Sequence, residues 1–196
     1  MDINKLKEEA YQTAVDHGWY EQKRSVTHHI MMVITELGEA INADRSHKYA
    51  DREMFEEMIE LDYPFSFDVH WSACFERYIK DSMEDELADA VIRLLTILGG
   101  KGVTIPEDAF SEEGLAKGVD VANRSISRHH NSVEPTLPEE LFVIVRSLMN
   151  PEDSLLEVVY FLIAIAMRRN IDINWHVVQK MKYNKLRPYM HGDRKY

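Results

Sequence analysis

Apolar residues recur along this chain at intervals of three and four, the spacing of one helix face, and no segment alternates as a half-buried strand does. The pattern predicts an all-α protein, a helical bundle. Gly18 is placed to end the first helix, Ser25 to cap the second and Pro151 to open a later one. The predicted helices cover about residues 3–17, 26–44, 52–61, 72–80, 84–98, 113–128, 138–148, 151–169 and 174 onward.

Two of these helices carry paired carboxylates beside an apolar stripe. Glu36 and Glu39 form one pair, and Glu86 and Asp89 form the other. Residues three apart lie about 60° from each other around a helix, so each pair shares one face. If the two apolar stripes pack together, the four carboxylates converge beside a dry core and repel one another unless a cation joins them. A hard cation with oxygen ligands, Mg²⁺ or Mn²⁺, fits that need.

The same pairs have a simpler interpretation. Because 34 of 196 residues are acidic, such pairs also arise by chance. Rival pairs lie in charge-dense segments typical of a solvated helix face: Glu53/Glu56, Glu57/Glu60 and Asp81/Glu84. Only the two chosen pairs border a long apolar stripe. The periodicity therefore leaves both a shared metal site and a solvated acidic face open.

The last predicted helix carries a second group of polar residues. Lys180, Tyr183, Asn184 and Arg187 stand at i, i+3, i+4 and i+7 and predict one stripe of two cations and two hydrogen-bonding groups. Lysine supplies a point charge and arginine a planar fork, and both suit phosphate oxygens. The alternative is a solvated helix end whose cations interact with the helix dipole.

Charge and cysteine content narrow the class of protein. A net charge of −11 repels phosphate backbones, so no nucleic-acid partner is expected, and no basic membrane-binding face is visible. The longest uncharged apolar run, residues 158–167, is far short of a membrane span, and the first residues are unlike a signal peptide. The single cysteine, Cys74, excludes an internal disulfide and fits a reducing compartment. We predict a cytoplasmic protein.

The length suits one domain spanning residues 1–196. Two tracts, about 45–81 and 106–150, read as helical insertions between core helices. The aromatic residues of the first tract would either stack on a nucleobase or, as we expect, pack locally or against a subunit: Phe65, Phe67, Trp71, Phe75 and Tyr78.

A faint internal similarity relates residues 86–107 to residues 154–175. Five apolar positions are identical when the two segments are aligned without gaps. Either an old duplication or a shared helix–turn layout explains this. The second copy has Ser154 and Glu157 where the first has its acidic pair, so it would be structural.

Other catalytic patterns are not supported. The histidine pairs His28/His29 and His129/His130 lack a metal-ligand partner pattern, and residues 99–102 lack the ending of a phosphate-binding P-loop.

Taken together, the acidic pairs and the C-terminal run resemble the MazG-like all-α nucleoside triphosphate pyrophosphohydrolases. Glu36-Leu-Gly-Glu39 and Glu86-Leu-Ala-Asp89 match the two acidic helices of that family, and residues 180–192 match a C-terminal signature of many members. The resemblance implies a helical bundle, usually a homodimer or higher oligomer, in which the four acidic residues bind Mg²⁺ and act in catalysis.

The resemblance also implies a reaction. A nucleoside triphosphate would be cleaved between its α- and β-phosphates to a monophosphate and pyrophosphate, clearing a non-standard or surplus nucleotide from the pool. Lys180, Tyr183, Asn184 and Arg187 would bind the phosphates, and Glu39 would orient the attacking water. Two departures leave the substrate open: 46 residues separate the acidic pairs, and the second tract precedes the last two helices. A dUTPase-like or phosphoribosyl-ATP-cleaving activity, and a non-catalytic nucleotide-binding regulator, are the alternatives.

Overall fold

The computed structural model of the chain describes residues 2–61, 64, 66–128 and 135–190, and for residues 151–154 it describes the backbone alone. Within this part the chain is helical and forms no strand, which confirms the predicted all-α fold. The helices are α1 (Ile3–Asp16), α2 (Val26–Arg45), α3 (Arg52–Ile59), α4 (Phe67–Tyr78), α5 (Met83–Gly100), α6 (Glu112–Arg128), α7 (Leu137–Leu148), α8 (Pro151–Arg168) and α9 (Ile173–Leu186).

Local capping chemistry fixes most of the helix ends. The Ser25 hydroxyl accepts a hydrogen bond from the His28 N–H at 3.2 Å and so begins α2, as predicted. Asp2, Asp51, Ser82 and Asp172 cap their helices in the same way. Gly18 adopts a φ of +82° just after α1, a conformation that glycine accepts without strain. These ends therefore lie close to the predicted positions.

Two helix ends differ from the prediction. Helix α4 begins five residues earlier than expected, and α5 continues through Gly99 to Gly100. A Cβ at Gly99 would lie 2.6 Å from the Cβ of Tyr11, so glycine is needed there because α1 packs closely on α5. Gly102, with φ +65°, lies beyond the helix end. The glycine run thus serves packing as well as termination.

Helix α5 lies at the centre of the bundle. It packs against α1, α2, α8 and α9, and α8 in turn packs against α6 and α7. Val33 and Leu37 of α2 and Ala90 and Leu94 of α5 are buried in one continuous core. The predicted packing of the two apolar stripes is therefore present.

The two tracts predicted as insertions pack in different ways. Helices α6 and α7, in the second tract, bury Ile126 and Ile144 completely in the main core. Helices α3 and α4, in the first tract, form a separate aromatic cluster that also includes Tyr183 of α9. Their interpretation as insertions stays a prediction.

The aromatic residues of the first tract pack mainly against one another. Trp71 and Phe75 are buried with their rings stacked at 5.4 Å, whereas Phe67 is exposed and Phe65 lies outside the described residues. For Trp71 and Phe75 this agrees with local packing. The duplication also stays a prediction, because α5 and α8 are both buried helices and the Ser154 side chain lies outside the described part.

None of the helices in the described ranges contains a stretch long and apolar enough to cross a membrane.

Candidate functional site

Three carboxylates from α2 and α5 meet beside the core. Glu36, Glu86 and Asp89 each offer one oxygen, and these oxygens lie within 4.8 Å of one another. Glu36 and Glu86 are only 4% and 5% exposed, and Asp89 is partly buried. Glu39 is exposed and lines the same cavity, but it does not belong to this close group. The structure thus brings together three of the four predicted acidic residues.

Two cations neutralise part of this group. The Arg93 guanidinium forms an ion pair with Glu36. The Lys180 Nζ lies 2.9 Å from an Asp89 oxygen and 2.6 Å from an oxygen of Asp85, and this lysine is 4% exposed. Lys180, which the sequence assigns to phosphate, therefore joins α9 to two carboxylates of α5.

Glu86 is the least compensated carboxylate of the group. Within the described part of the chain, its carboxylate forms no hydrogen bond or ion pair with a cation. Burial raises its pKa to about 9, and the neighbouring carboxylates act in the same direction against the charge of Lys180. Without a cation, Glu86 therefore carries a proton at neutral pH.

The pKa values of Glu36 and Asp89 shift in opposite directions. Burial and the charge of Asp89 raise the pKa of Glu36, although Arg93 opposes them. Burial would also raise the pKa of Asp89, but nearby cations, Lys180 first among them, lower it overall. Asp89 is therefore ionised while Glu86 is not, so the group has a ready anionic ligand and a site from which a cation would displace a proton.

A second acidic group shares Glu86 but is already paired with lysines. Asp81, Asp85 and Glu86 also have oxygens within 4.8 Å of one another. Asp81 lies 2.6 Å from Lys80 and 3.4 Å from Lys48, and Asp85 lies 2.6 Å from Lys180. Cations pair with members of both groups, but Glu36, Glu86 and Asp89 all line the main cavity whereas Asp85 does not, so the group of Glu36, Glu86 and Asp89 is the better candidate for a cation.

A cavity of about 360 Å³ opens beside the three carboxylates. Its walls combine these acids with cationic, aromatic and other polar side chains. These come from the segment between α1 and α2, from the first turn of α2, from α5, and from α9 and the residue after it: Trp19, Tyr20, Arg24, His28, His29, Arg93, Lys180, Asn184 and Arg187. A site with an acidic floor and cationic walls can bind a metal together with an anion.

The predicted stripe on α9 divides between two environments. Lys180, Asn184 and Arg187 line the cavity. The Tyr183 hydroxyl instead donates to Glu76 at 2.6 Å, and its ring stacks on Phe75 with centroids 4.6 Å apart. Tyr183 is not among the cavity-lining residues, because it faces the aromatic cluster of α4.

The end of α9 also breaks the expected i+7 relation. The helix ends at Leu186, and Arg187 has an extended backbone with φ −71° and ψ 152°. Proline at 188 disfavours helical geometry in the residue before it. Arg187 therefore reaches the cavity from a non-helical segment.

Three residues of the site were not predicted from the sequence: Asp85, Arg93 and Arg24. The spacing along α5 could have indicated the first two. Asp85 and Arg93 each stand four residues from Asp89, and the i, i+4 spacing places them on its side of α5. Arg24 precedes the cap of α2 and had no such signal. Only the packing of α2 on α5 brings it to the cavity.

A comparison with protein-family models gives no match, and comparisons with curated proteins and with solved structures give no significant match. The resemblance to the MazG-like family therefore rests on the quoted motifs alone.

Proposed function

We propose that the chain is a Mg²⁺-dependent nucleoside triphosphate pyrophosphohydrolase of the MazG-like type. The observation that carries the proposal is the close group of Glu36, Glu86 and Asp89 at a cavity that Arg24 and Arg187 also line. Acidic ligands for a cation and arginines for an anion, side by side, are what a metal–triphosphate complex requires. The family resemblance supports the same reaction.

The donor set fits a hard divalent cation. Glu36, Glu86 and Asp89 would hold it through carboxylate oxygens, the ligands that Mg²⁺ and Mn²⁺ prefer. When bound, such an ion would neutralise phosphate charge and make a water molecule more acidic. Glu86 fits this assignment because its carboxylate lacks a cationic partner within the described residues.

The remaining residues divide the other tasks. Glu39, exposed on the cavity wall, is placed to orient water or accept its proton. Arg24 and Arg187 would contact phosphate oxygens, and the Asn184 amide NH2 would donate to them; the buried Asn184 amide oxygen has no hydrogen-bond partner among the described residues. Lys180, held between Asp85 and Asp89, primarily positions the α5 carboxylates, while its assignment to the departing pyrophosphate stays a prediction.

A nucleotide panel tests the reaction. The protein is incubated with Mg²⁺ and each of the common and modified ribo- and deoxyribonucleoside triphosphates, and pyrophosphate and orthophosphate are measured separately. We expect pyrophosphate and a monophosphate from at least one nucleotide, and no product from Asp89→Asn. Orthophosphate as the first product would exclude cleavage between the α- and β-phosphates. Nucleotide-dependent stabilisation without any product would favour the binding regulator instead.

On the resemblance alone, we also propose that the protein is a homodimer or higher homo-oligomer. The single cysteine supports the further proposal of a cytoplasmic location. Sedimentation equilibrium tests the assembly, because a mass equal to that of one chain would contradict it.

A further inference from the structure

The segment after α9, residues 187–190, is called here the C-terminal strap, and it lies against the end of α1. The Met190 N–H donates to the His17 carbonyl oxygen at 3.2 Å. The His17 Nε2 lies 3.0 Å from the carbonyl oxygen of Arg187. The C-cap residue of α1 therefore contacts both ends of the strap.

The His17 ring bridges two acceptors. Its Nδ1 lies 2.8 Å from the carbonyl oxygen of Thr13, and its Nε2 faces Arg187. Carbonyl oxygens accept hydrogen bonds and do not donate them, so both contacts are hydrogen bonds only when each ring nitrogen carries a proton. A neutral ring would retain one bond and lose the other.

The next residue provides a seat for the strap. At Gly18, with φ +82°, an added Cβ would lie 2.4 Å from the Tyr189 hydroxyl oxygen. The Tyr189 hydroxyl also hydrogen-bonds Glu21, which raises the pKa of Tyr189. Residues 17–21 thus contact the strap through a side chain, a main-chain carbonyl and a glycine that leaves room for a ring.

We propose that His17 is a positioning residue that holds Arg187 at the cavity through the main chain of the strap. Helix α9 ends before Arg187, so the helix does not set the direction of this side chain. The anchor at the Arg187 carbonyl supplies that direction at the residue itself. The inference depends on the proposed function only for the role of Arg187 in binding phosphate.

Charged residues of α1 and α9 lie beside the His17 ring. Glu9 and Asp16 of α1 and Lys185 of α9 line the shallow depression beside His17, and Lys185 is 3.1 Å from Glu9. Arg187, the first residue of the strap, is the charged group that lines the cavity.

A double-mutant cycle tests the coupling between the two residues. The probe is inorganic pyrophosphate with Mg²⁺, measured by calorimetry on wild type, His17→Ala, Arg187→Ala and the double variant. We expect each single change to weaken binding about tenfold and the double variant to bind no more weakly than Arg187→Ala. Gln12→Ala is the matched control, because Gln12 lies near the end of α1 and its side-chain amide donates to Asp16 at 2.7 Å. Additive losses, or unchanged binding in His17→Ala, would overturn the proposal.

A second measurement needs no substrate and separates this inference from the proposed function. In the free protein we expect the Met190 amide to exchange slowly with solvent, and about tenfold or more faster in His17→Ala and Gly18→Ala. Unchanged Met190 exchange in both variants would overturn the positioning role even if the enzyme cleaves nucleotides. If Arg187→Ala leaves pyrophosphate binding intact, the phosphate role of Arg187 fails, and the exchange data still decide whether His17 holds the strap.

Discussion

At the residue scale, Glu86 determines how the site responds to pH. Burial raises its pKa from the usual 4.5 to about 9, so between these values the folded, metal-free protein holds a proton that the unfolded chain releases. This proton makes its full contribution to the free energy of unfolding below the pKa that Glu86 has in the unfolded chain. The contribution is lost as the pH rises through the folded-state pKa of about 9. The carboxyl thus favours the folded state only while it is neutral or bound to a cation.

Replacing Glu86 by Gln removes this titration. We expect the variant to have a higher melting temperature than wild type at pH 8 to 9 in a chelator, and a flatter dependence of melting temperature on pH. Glu53→Gln, an exposed carboxylate of α3, is the control and should match wild type. Equal pH dependence in wild type and Glu86→Gln would show that this carboxyl is already ionised.

Metal binding should release the same proton. Because Glu86 is protonated without a cation and a ligand must be ionised, Mg²⁺ binding at pH 7.5 should release about one proton per site. Calorimetry in two buffers of different ionisation enthalpy measures this number. A binding enthalpy that does not depend on the buffer would contradict it, and Glu86→Gln should show no release.

Arg187 and Lys182 separate geometry from charge at the end of α9. Arg187→Lys keeps the charge and loses the planar fork, so we expect activity to fall about tenfold with the Mg²⁺ response unchanged.

Lys182 lies over the rings of Trp71 and Phe67, with its Nζ 4.1 and 4.6 Å from the ring centroids. Lys182→Ala should therefore keep its activity and lose about 0.5–1 kcal/mol of stability, measured by urea unfolding. A loss of activity equal to that of Arg187→Lys would place Lys182 in the phosphate site.

At the element scale, Lys180 joins α9 to α5. Its ammonium lies between Asp85 and Asp89, and all three side chains are largely buried. Removing one partner of a buried ion pair leaves the other charge without compensation. This lysine therefore adds an ionic contact to the apolar packing of the two helices.

Lys180→Met should consequently be strongly destabilising. We expect a loss of about 3–5 kcal/mol in the free energy of unfolding of the metal-free protein, measured in urea. Adding Asp85→Asn should restore part of that loss, because one unpaired buried charge is removed. A loss below about 1 kcal/mol, typical of an exposed pair, would show that water reaches this lysine.

At the scale of the whole molecule, an acidic protein can attract an anion only through local cations. The net charge is −11, yet Arg24, Arg93 and Arg187 all line one cavity. Helix α5 makes this possible, because α1, α2 and α9 all pack against it and bring their charged ends together.

The metal response belongs to this scale, because it reports on the folded state as a whole. We expect Mg²⁺ to raise the melting temperature of wild type, because it binds the folded state. At a Mg²⁺ concentration one hundred times the dissociation constant, the free energy of unfolding should rise by about 2.7 kcal/mol. Glu36→Gln and Asp89→Asn should lose most of this response, whereas Glu53→Gln and Glu57→Gln should keep it. An unchanged wild-type melting temperature at saturating Mg²⁺ would contradict the metal site.

The helices and the faces they bury follow from local sequence. Ser25 and Gly18 act through hydrogen bonds and backbone angles within a few residues, and the stripes holding Val33 and Leu94 follow from helical periodicity, so these features depend on neighbours in the chain. The acidic pairs could be found in the same way.

The pairing of the charges depends on contacts between helices. Glu36, Glu86 and Asp89 come together while Glu39 stays exposed, because the packing of α2 on α5 brings one member of the first pair next to the second pair. Lys180 turns to Asp85 across a sequence separation of 95, and Tyr183 turns away to Glu76. A pattern along one helix fixes which residues share a face, but the identity of the facing charge depends on another helix, and electrostatic energies change steeply with that distance and with burial.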